Sequence, residues 1–249
     1  MVILKSPEEI EKMRESNAIV ADVLALMREL VEPGITTLEL DRRAEEAARS
    51  RGSVPAFKGY GGFPFSLCTS VNEEVVHGFP SKRELKEGDI VSLDFGVCYN
   101  GYFGDSAVTI PVGSISESAR RLMKVTKESL DQGISNAVPG NRLGDISNAV
   151  QRHVEAAGFS AVRDYVGHGI GKNLHEDPPI PNFGPPGRGI LLKAGMVIAI
   201  EPMINQGTYE VDVKQDGWTV VTRDGKLSAH FEHTLAITDE GPRVLSVVS

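Results

Sequence analysis

The chain says something twice, and the duplication limits what it can fold into. Leu85-Lys86-Glu87-Gly88-Asp89-Ile90-Val91-Ser92-Leu93-Asp94 recurs as Leu192-Lys193-Ala194-Gly195-Met196-Val197-Ile198-Ala199-Ile200-Glu201, which lays one carboxylate on another. In both copies the acid ends an apolar, β-branched run that reads as a buried strand. A carboxylate belongs there only if a cation or a hydrogen-bond donor awaits it. Asp105 and Glu232 are the second acids of the two halves, each near the start of a further apolar stretch. Val76-His77-Gly78-Phe79-Pro80 aligns with Leu174-His175-Glu176-Asp177-Pro178. Pro33-Gly34 to Gly52 repeats as Pro139-Gly140 to Gly158, each Pro-Gly opening a helix-like segment and each last glycine sitting at a helix C-cap. The expectation is one domain over residues 1–249, built from half-repeats of approximately 6–111 and 116–239, since solenoid arrays repeat at about 20–50 residues.

The pattern within each half is α+β. Helices are expected over about Pro7 to Leu30 with Ser6 as N-cap, Thr36 to Ser50, Glu117 to Asn136 and Leu143 to Ala157. Strands are expected over about Asp89 to Tyr99, Tyr102 to Ile110, Ala161 to Val166, Met196 to Ile204, Val211 to Lys214, Trp218 to Thr222 and His233 to Thr238. Helices preceding antiparallel strands predict a curved antiparallel sheet with helices on one face and the other free for a site.

The Asn100-Gly101 pair is a strong hairpin signal that would set Asp94 opposite Ala107. Asp105 then lies on the same face as Asp94 and diagonal to it, roughly 7–8 Å away between backbones. By the repeat, Glu201 and Glu232 belong in equivalent places, and a pseudo-twofold axis would gather all four acids. Their charge of −4 is what two divalent cations cancel, in a site with metals about 3.5–4 Å apart and a hydroxide between them. His168, between glycines in Gly167-His168-Gly169-Ile170-Gly171, is free to approach a metal. Strand alternation puts His230 on the Glu232 face and His233 on the other.

This ordered set resembles the five-ligand dinuclear centre of the methionine aminopeptidase family: Asp94 in Leu-Asp-Phe-Gly, Asp105 in Gly-Asp-Ser, His168 in Gly-His-Gly-Ile-Gly, Glu201 in Ile-Glu-Pro and Glu232 in Phe-Glu-His-Thr. The similarity spans about Ser6 to Val247. His168 and Glu201 stand 33 residues apart, without room for the helical insertion of type II enzymes, and no zinc-binding extension is expected ahead of Ser6. The resemblance is therefore to the short bacterial type I form, with the pseudo-symmetric pita-bread fold.

The resemblance implies that Asp94 chelates one metal, that His168 and Glu201 chelate the other, and that Asp105 and Glu232 bridge. By the same resemblance the attacking hydroxide would lie between the metals, and Glu201 would also shuttle a proton. His175 polarises the scissile carbonyl and His77 contacts the scissile amide. Tyr60, Phe63, Cys68, His77, Leu174, His175 and Trp218 line the substrate site. Leu174 replaces a frequent aromatic, Phe63 a tyrosine, and Phe57 stands where a cysteine occurs. His230 stands in place of a usual glutamine and donates to a ligand carboxylate, and Asn72 and Ser228 match a monovalent-cation site. The implied metals are Mn, Fe(II) or Co, with Zn competing. The implied substrates are N-terminal Met peptides and nascent chains near the ribosome, and the implied state is a monomer.

The balance of 26 basic and 34 acidic residues, net −8, contains no basic run for nucleic acid. No stretch approaches the ~20 apolar residues of a membrane span, and the first residues carry no signal-like apolar segment, so a cytoplasmic protein is expected. Cys68 and Cys98 read as free thiols, Cys98 as a small buried hydrophobe, and His153 and His233 as structural. No His-Glu-x-x-His motif is present. Two alternatives stand beside the leading reading: an aminopeptidase of the same fold with Pro-directed or broader specificity, and a non-catalytic peptide-binding member that would purify without a metal pair.

Overall fold

A computed structural model describes residues 2–247. Helix α1 (Pro7–Leu30) starts where expected because Ser6 and Glu9 cap one another. Glu9 N–H donates to Ser6 Oγ at 3.3 Å and Ser6 N–H to Glu9 Oε2 at 2.9 Å, with Pro7 at the first helical position. Helix α2 (Thr37–Ser50) begins one residue later than read, because Thr36 caps it by accepting from Glu39 N–H. Helices α3 (Glu117–Asn136) and α4 (Leu143–Ala156) open the second half in the same order.

The strands are β1 (Val54–Pro55), β2 (Leu67–Val71), β3 (Ile90–Tyr99), β4 (Tyr102–Pro111), β5 (Ser160–Ala161), β6 (Gly167–Gly169), β7 (Glu176–Ile180), β8 (Val197–Ile200), β9 (Met203–Asn205), β10 (Val211–Val213), β11 (Val220–Thr222), β12 (Ser228–His230), β13 (Glu232–Thr238) and β14 (Gly241–Val244). The main sheet runs β1-β3-β4-β13-β8-β6-β7, with β2 on β3 and β14 on β13, and every pairing is antiparallel. The two halves meet at β4 and β13.

Register carries the site. The Asn100-Gly101 turn, with φ of 50° and 80°, pairs Tyr99 with Tyr102 and Asp94 with Ala107. Ala107 in turn faces Glu232 on β13. His233 opposes Ile200, so Glu201 follows β8 at the level of Glu232, and His168 opposes Ala199, two residues before Glu201. Directly paired residues share a face, as do residues two apart. Five chemistry-bearing side chains therefore project from one face. On the other face Leu93, Phe95, Val97, Ile198 and Leu235 are fully buried in the core beneath the helices.

Helix α1 touches the sheet closely beside Asp105. Ser16 Oγ donates to Tyr102 O at 3.0 Å, and Asp105 N–H donates to Asn17 Oδ1 at 3.3 Å. A Cβ on Gly104 would lie 2.7 Å from Asn17 N and 2.8 Å from Ser16 C, both backbone atoms. Gly104→Ala should therefore push the helix off the strand and cost about 1–3 kcal/mol. Thermal unfolding of the variant checks this, and an unchanged melting temperature would contradict it.

Several expected elements differ. The strand expected over 161–166 is only β5, and the one over 196–204 breaks at Glu201-Pro202. Pro202 has no N–H to extend the ladder, so the chain leaves the main sheet and β9 joins β5 and β12. The stretch 218–222 shortens to β11 because Asp216 takes the N–H groups of Trp218 and Thr219. Strand β13 begins at Glu232, one residue before its expected start. His230 and Glu232 lie on different strands separated by Phe231, not on one alternating strand. The last residue of α4 is Ala156 rather than Ala157. Cys98 is half-buried rather than buried, while neither cysteine forms a disulfide. Strands β1, β2, β6, β7, β12 and β14 lie outside the expected set; Gly167–Gly169 and the Pro-containing Glu176–Ile180 carry no strand signal of their own. The second half also places β9 to β12 between its two acids, which stand 31 residues apart against 11 in the first.

Candidate metal centre and substrate pocket

A cavity of about 180 Å³ opens on the acid-bearing face. Asp94, Asp105, His168, Glu201 and Glu232 line it, together with Tyr60, Phe63, Cys68, His77, Leu174, His175 and Trp218. His230, Asn72 and Ser228 do not. Phe57 and Gly61 complete the wall.

The five candidate ligands approach without hydrogen-bonding one another. Ligand atoms of Asp105, His168 and Glu232 lie within 4.8 Å of each other. His168 Nε2 is 3.9 Å from Asp105 Oδ2 and 3.6 Å from Glu201 Oε1, beyond hydrogen-bond distance. His168 Nδ1 lies 2.9 Å from Gly169 O, a contact that needs the proton on Nδ1 and leaves Nε2 with a free lone pair facing the acids. Asp94 Oδ1, Asp105 Oδ1 and Glu232 Oε1 are buried and have no hydrogen-bond partner. Buried polar atoms are otherwise almost always satisfied, so three orphaned carboxylate oxygens beside one imidazole lone pair fit a cation.

Electrostatics agrees. With no cation, burial pushes Asp94 up to about 7. Burial and then mutual repulsion push Asp105, Glu201 and Glu232 well above the usual carboxylate range. Burial lowers His168 and His77 to about 4 and His230 to about 3, so all three are neutral at pH 7. Each raised acid lets the metal-free fold bind protons that the unfolded chain has released, so its contribution is lost as pH rises through the folded value. The lowered histidines act oppositely, and their contribution is lost as pH falls below the unfolded value of about 6.5. Chelating the divalent ions should therefore lower the melting temperature more at about pH 8 than at about pH 6. Calorimetry with and without chelator measures this; equal losses at both pH values would contradict it.

The rest of the cavity is apolar and aromatic. Phe63 meets Trp218 edge to face at 5.2 Å and Phe79 at 5.4 Å. Leu174 and Cys68 are buried beside them, and burial raises the Cys68 thiol so that it stays protonated. His77 holds a left-handed φ of 58° and packs edge to face on Tyr165 at 5.4 Å, a strained conformation of the kind found at functional sites. His175 Nδ1 lies 2.7 Å from Tyr60 Oη. His230 is buried, with Nε2 unpartnered and 3.9 Å from Glu201 Oε2.

Asn72 and Ser228 touch through backbone, Ser228 N–H donating to Asn72 O at 2.9 Å. Their side chains are engaged elsewhere, on Asp89 and Asn205. His153 and His233 hold structural contacts with Glu128 and Ser246. Sequence reading missed Tyr165, Phe79 and the buried ion pair of Lys5 with Glu176 at 2.7 Å, beside His175. Nothing in the sequence signals that ion pair, because 171 residues separate its partners.

The curved sheet, the acid and imidazole face and the apolar cavity define a divalent-metal hydrolase of the pita-bread fold. The profile of metallopeptidase family M24 matches residues 11–239. A Clostridium perfringens methionine aminopeptidase is 58% identical over 248 residues, covering 100% of both chains. The crystal structure of a Thermotoga maritima methionine aminopeptidase superposes with a TM-score of 0.98 at 50% identity, covering 99% of this chain and 100% of that one. A Pyrococcus horikoshii prolidase shares the fold, with a TM-score of 0.81 at 23% identity over 100% of this chain and 65% of its own. The chain belongs to metallopeptidase family M24 and, within it, to the methionine aminopeptidases.

Proposed function

We propose that residues 1–249 form one catalytic unit that removes N-terminal methionine from peptides and nascent proteins, using two divalent ions per chain. Of that range, Met1, Val248 and Ser249 lie outside the described residues. The observation that carries this reading is the set of orphaned buried acid oxygens on residues lining a cavity of about 180 Å³ whose remaining wall is largely apolar and aromatic. Asp94, His168 and Glu201 would each hold an ion from one side and Asp105 and Glu232 would bridge, four negative charges against four positive. The ions supply Lewis acidity and a water-derived nucleophile near neutral pH.

The chain's own residues do the rest. Neutral His175 offers an N–H to the scissile carbonyl oxygen as it gains charge. Neutral His77 faces the scissile amide, and its left-handed backbone sets that direction. Glu201 carries a proton to the leaving amine, and the neutral imidazole of His230 stands beside it, its Nε2 3.9 Å from Glu201 Oε2 and beyond hydrogen-bond distance. Phe63, Leu174, Cys68, Trp218 and Tyr60 receive the methionine side chain. The donor set suits Mn(II), Fe(II) or Co(II), with Zn(II) competing. A monovalent cation near Asn72 and Ser228 would meet backbone carbonyls, since both side chains are engaged.

Action as a cytoplasmic monomer near the ribosome, on nascent chains, belongs to the same proposal. Among the described residues no helix is long and apolar enough to cross a membrane.

The test is turnover of Met-X-Ser peptides, with X as Gly, Ala, Val, Leu and Lys, beside an X-Pro series, on stripped protein resupplied with each metal. Small X should be fastest, acetylated peptides inert, and norleucine peptides slow, since one methylene in an apolar pocket is worth only about 1–3 kcal/mol. Faster X-Pro than Met-Ala cleavage would move the assignment to a Pro-directed enzyme. Purification without stoichiometric metal would favour a binding module.

A further inference from the structure

We propose that Tyr60 is a positioning residue: its phenol donates to His175 Nδ1 and holds the imidazole in the tautomer whose Nε2–H faces the cavity. This rests on the reading of His175 as the group that meets the scissile carbonyl. Tyr60 Oη and His175 Nδ1 are 2.7 Å apart, and the two rings meet edge to face with centroids at 5.1 Å. The same imidazole packs edge to face on His168 at 4.3 Å, against the candidate metal ligands. With Nδ1 engaged by Tyr60, Nε2 is the nitrogen left for substrate.

A neutral imidazole carries one proton, and the partner of one nitrogen decides what the other presents. A phenol, of pKa about 10, is a stronger acid than a neutral imidazole N–H, and the imidazole nitrogen is the better acceptor. O–H···N is therefore the favoured sense of this bond, and it leaves the proton on Nε2. The opposite tautomer would turn a bare Nε2 lone pair toward the metal centre, where it would compete as a ligand and could not donate to a developing oxyanion.

The backbone holds the phenol in place. Tyr60 opens a 3₁₀ turn, Tyr60–Gly62, between Gly59 at φ 89° and Gly61 at φ 56°. A Cβ on Gly61 would stand 3.4 Å from the Trp218 ring, so the turn rests on the wall of the methionine pocket. One turn thus serves both the side-chain pocket and the tautomer of His175, and a substrate that seats against Trp218 meets a donor already set.

The experiment is nitrogen NMR of ring-labelled histidines in the Zn(II)-loaded protein, with the His175 signal identified by its loss in His175→Ala, together with steady-state kinetics of Tyr60→Phe. Wild type should show a bare Nδ1 and a protonated Nε2 on His175. Tyr60→Phe should show mixed tautomers and a fall of about tenfold in kcat on Met-Ala-Ser, with KM little changed, as expected for one lost hydrogen bond. A protonated Nδ1 in the wild type, which needs no variant to observe, would overturn the proposal even while Met peptides are cleaved. Unchanged tautomer and kcat in Tyr60→Phe would overturn it too. No cleavage of Met peptides by wild type with any metal would instead defeat the proposed function, whatever the tautomer.

Discussion

Asp105→Asn or Glu232→Gln should leave the protein short of at least one divalent ion and reduce kcat/KM by about 10³-fold or more, because on the proposed mechanism the ions would supply the nucleophile itself. Each substitution keeps the shape of a buried side chain but removes one of the four charges proposed to hold the cations. Asp105 is the sharper case. Its Oδ1 has no hydrogen-bond partner, its backbone N–H is held by Asn17, and its carbonyl accepts from Thr234 Oγ1 at 2.8 Å, so the backbone should stay where it is. The metal-free protein should respond in the opposite sense. Burial and the nearby Asp94 already press Asp105 toward its neutral form, so the neutral amide relieves repulsion and should raise the metal-free melting temperature at about pH 8. Metal analysis, turnover and calorimetry of the two variants read these effects. Wild-type turnover with the metal confirmed absent would end the metal mechanism.

His175→Ala should separate transition-state stabilisation from metal binding. His175 is exposed at the cavity rim and touches His168 only through its ring, whereas His168 Nε2 points among the acids. Both ions should remain while kcat falls by about 10²–10³, or roughly 2.7–4 kcal/mol, the range for losing one oxyanion donor. KM should change little, since the lost contact strengthens only as the carbonyl oxygen gains charge. Titration showing one ion lost would make His175 a ligand.

The part of this site that could be read along the chain is the part made by local geometry. Asn100-Gly101 sets a two-residue turn, the turn sets register, and register puts Asp94 and Asp105 on one face. The duplicated Leu-Lys-x-Gly segment then pointed to Glu201 as the counterpart of Asp94. The breaks were harder to see. The apolar run predicts a strand through Glu201 to Ile204, yet Pro202, without an N–H, ends the ladder just after Glu201. Alternation predicts His230 and Glu232 on one strand, yet β12 ends at His230 and β13 begins at Glu232, and His230 Nε2 still comes within 3.9 Å of Glu201 Oε2.

By itself the sequence determined the two halves, their helix caps, the central hairpin and the ordered set of acids and imidazoles, because these depend on contacts within a few residues or on a repeated pattern. Only the tertiary structure decided that β6 pairs β8 to bring His168 beside Glu201, that Tyr60 meets His175 across 115 residues, and that Lys5 reaches Glu176. Such pairings join segments with weak preferences of their own, and they form because closing the sheet and burying its helical face bring those groups together.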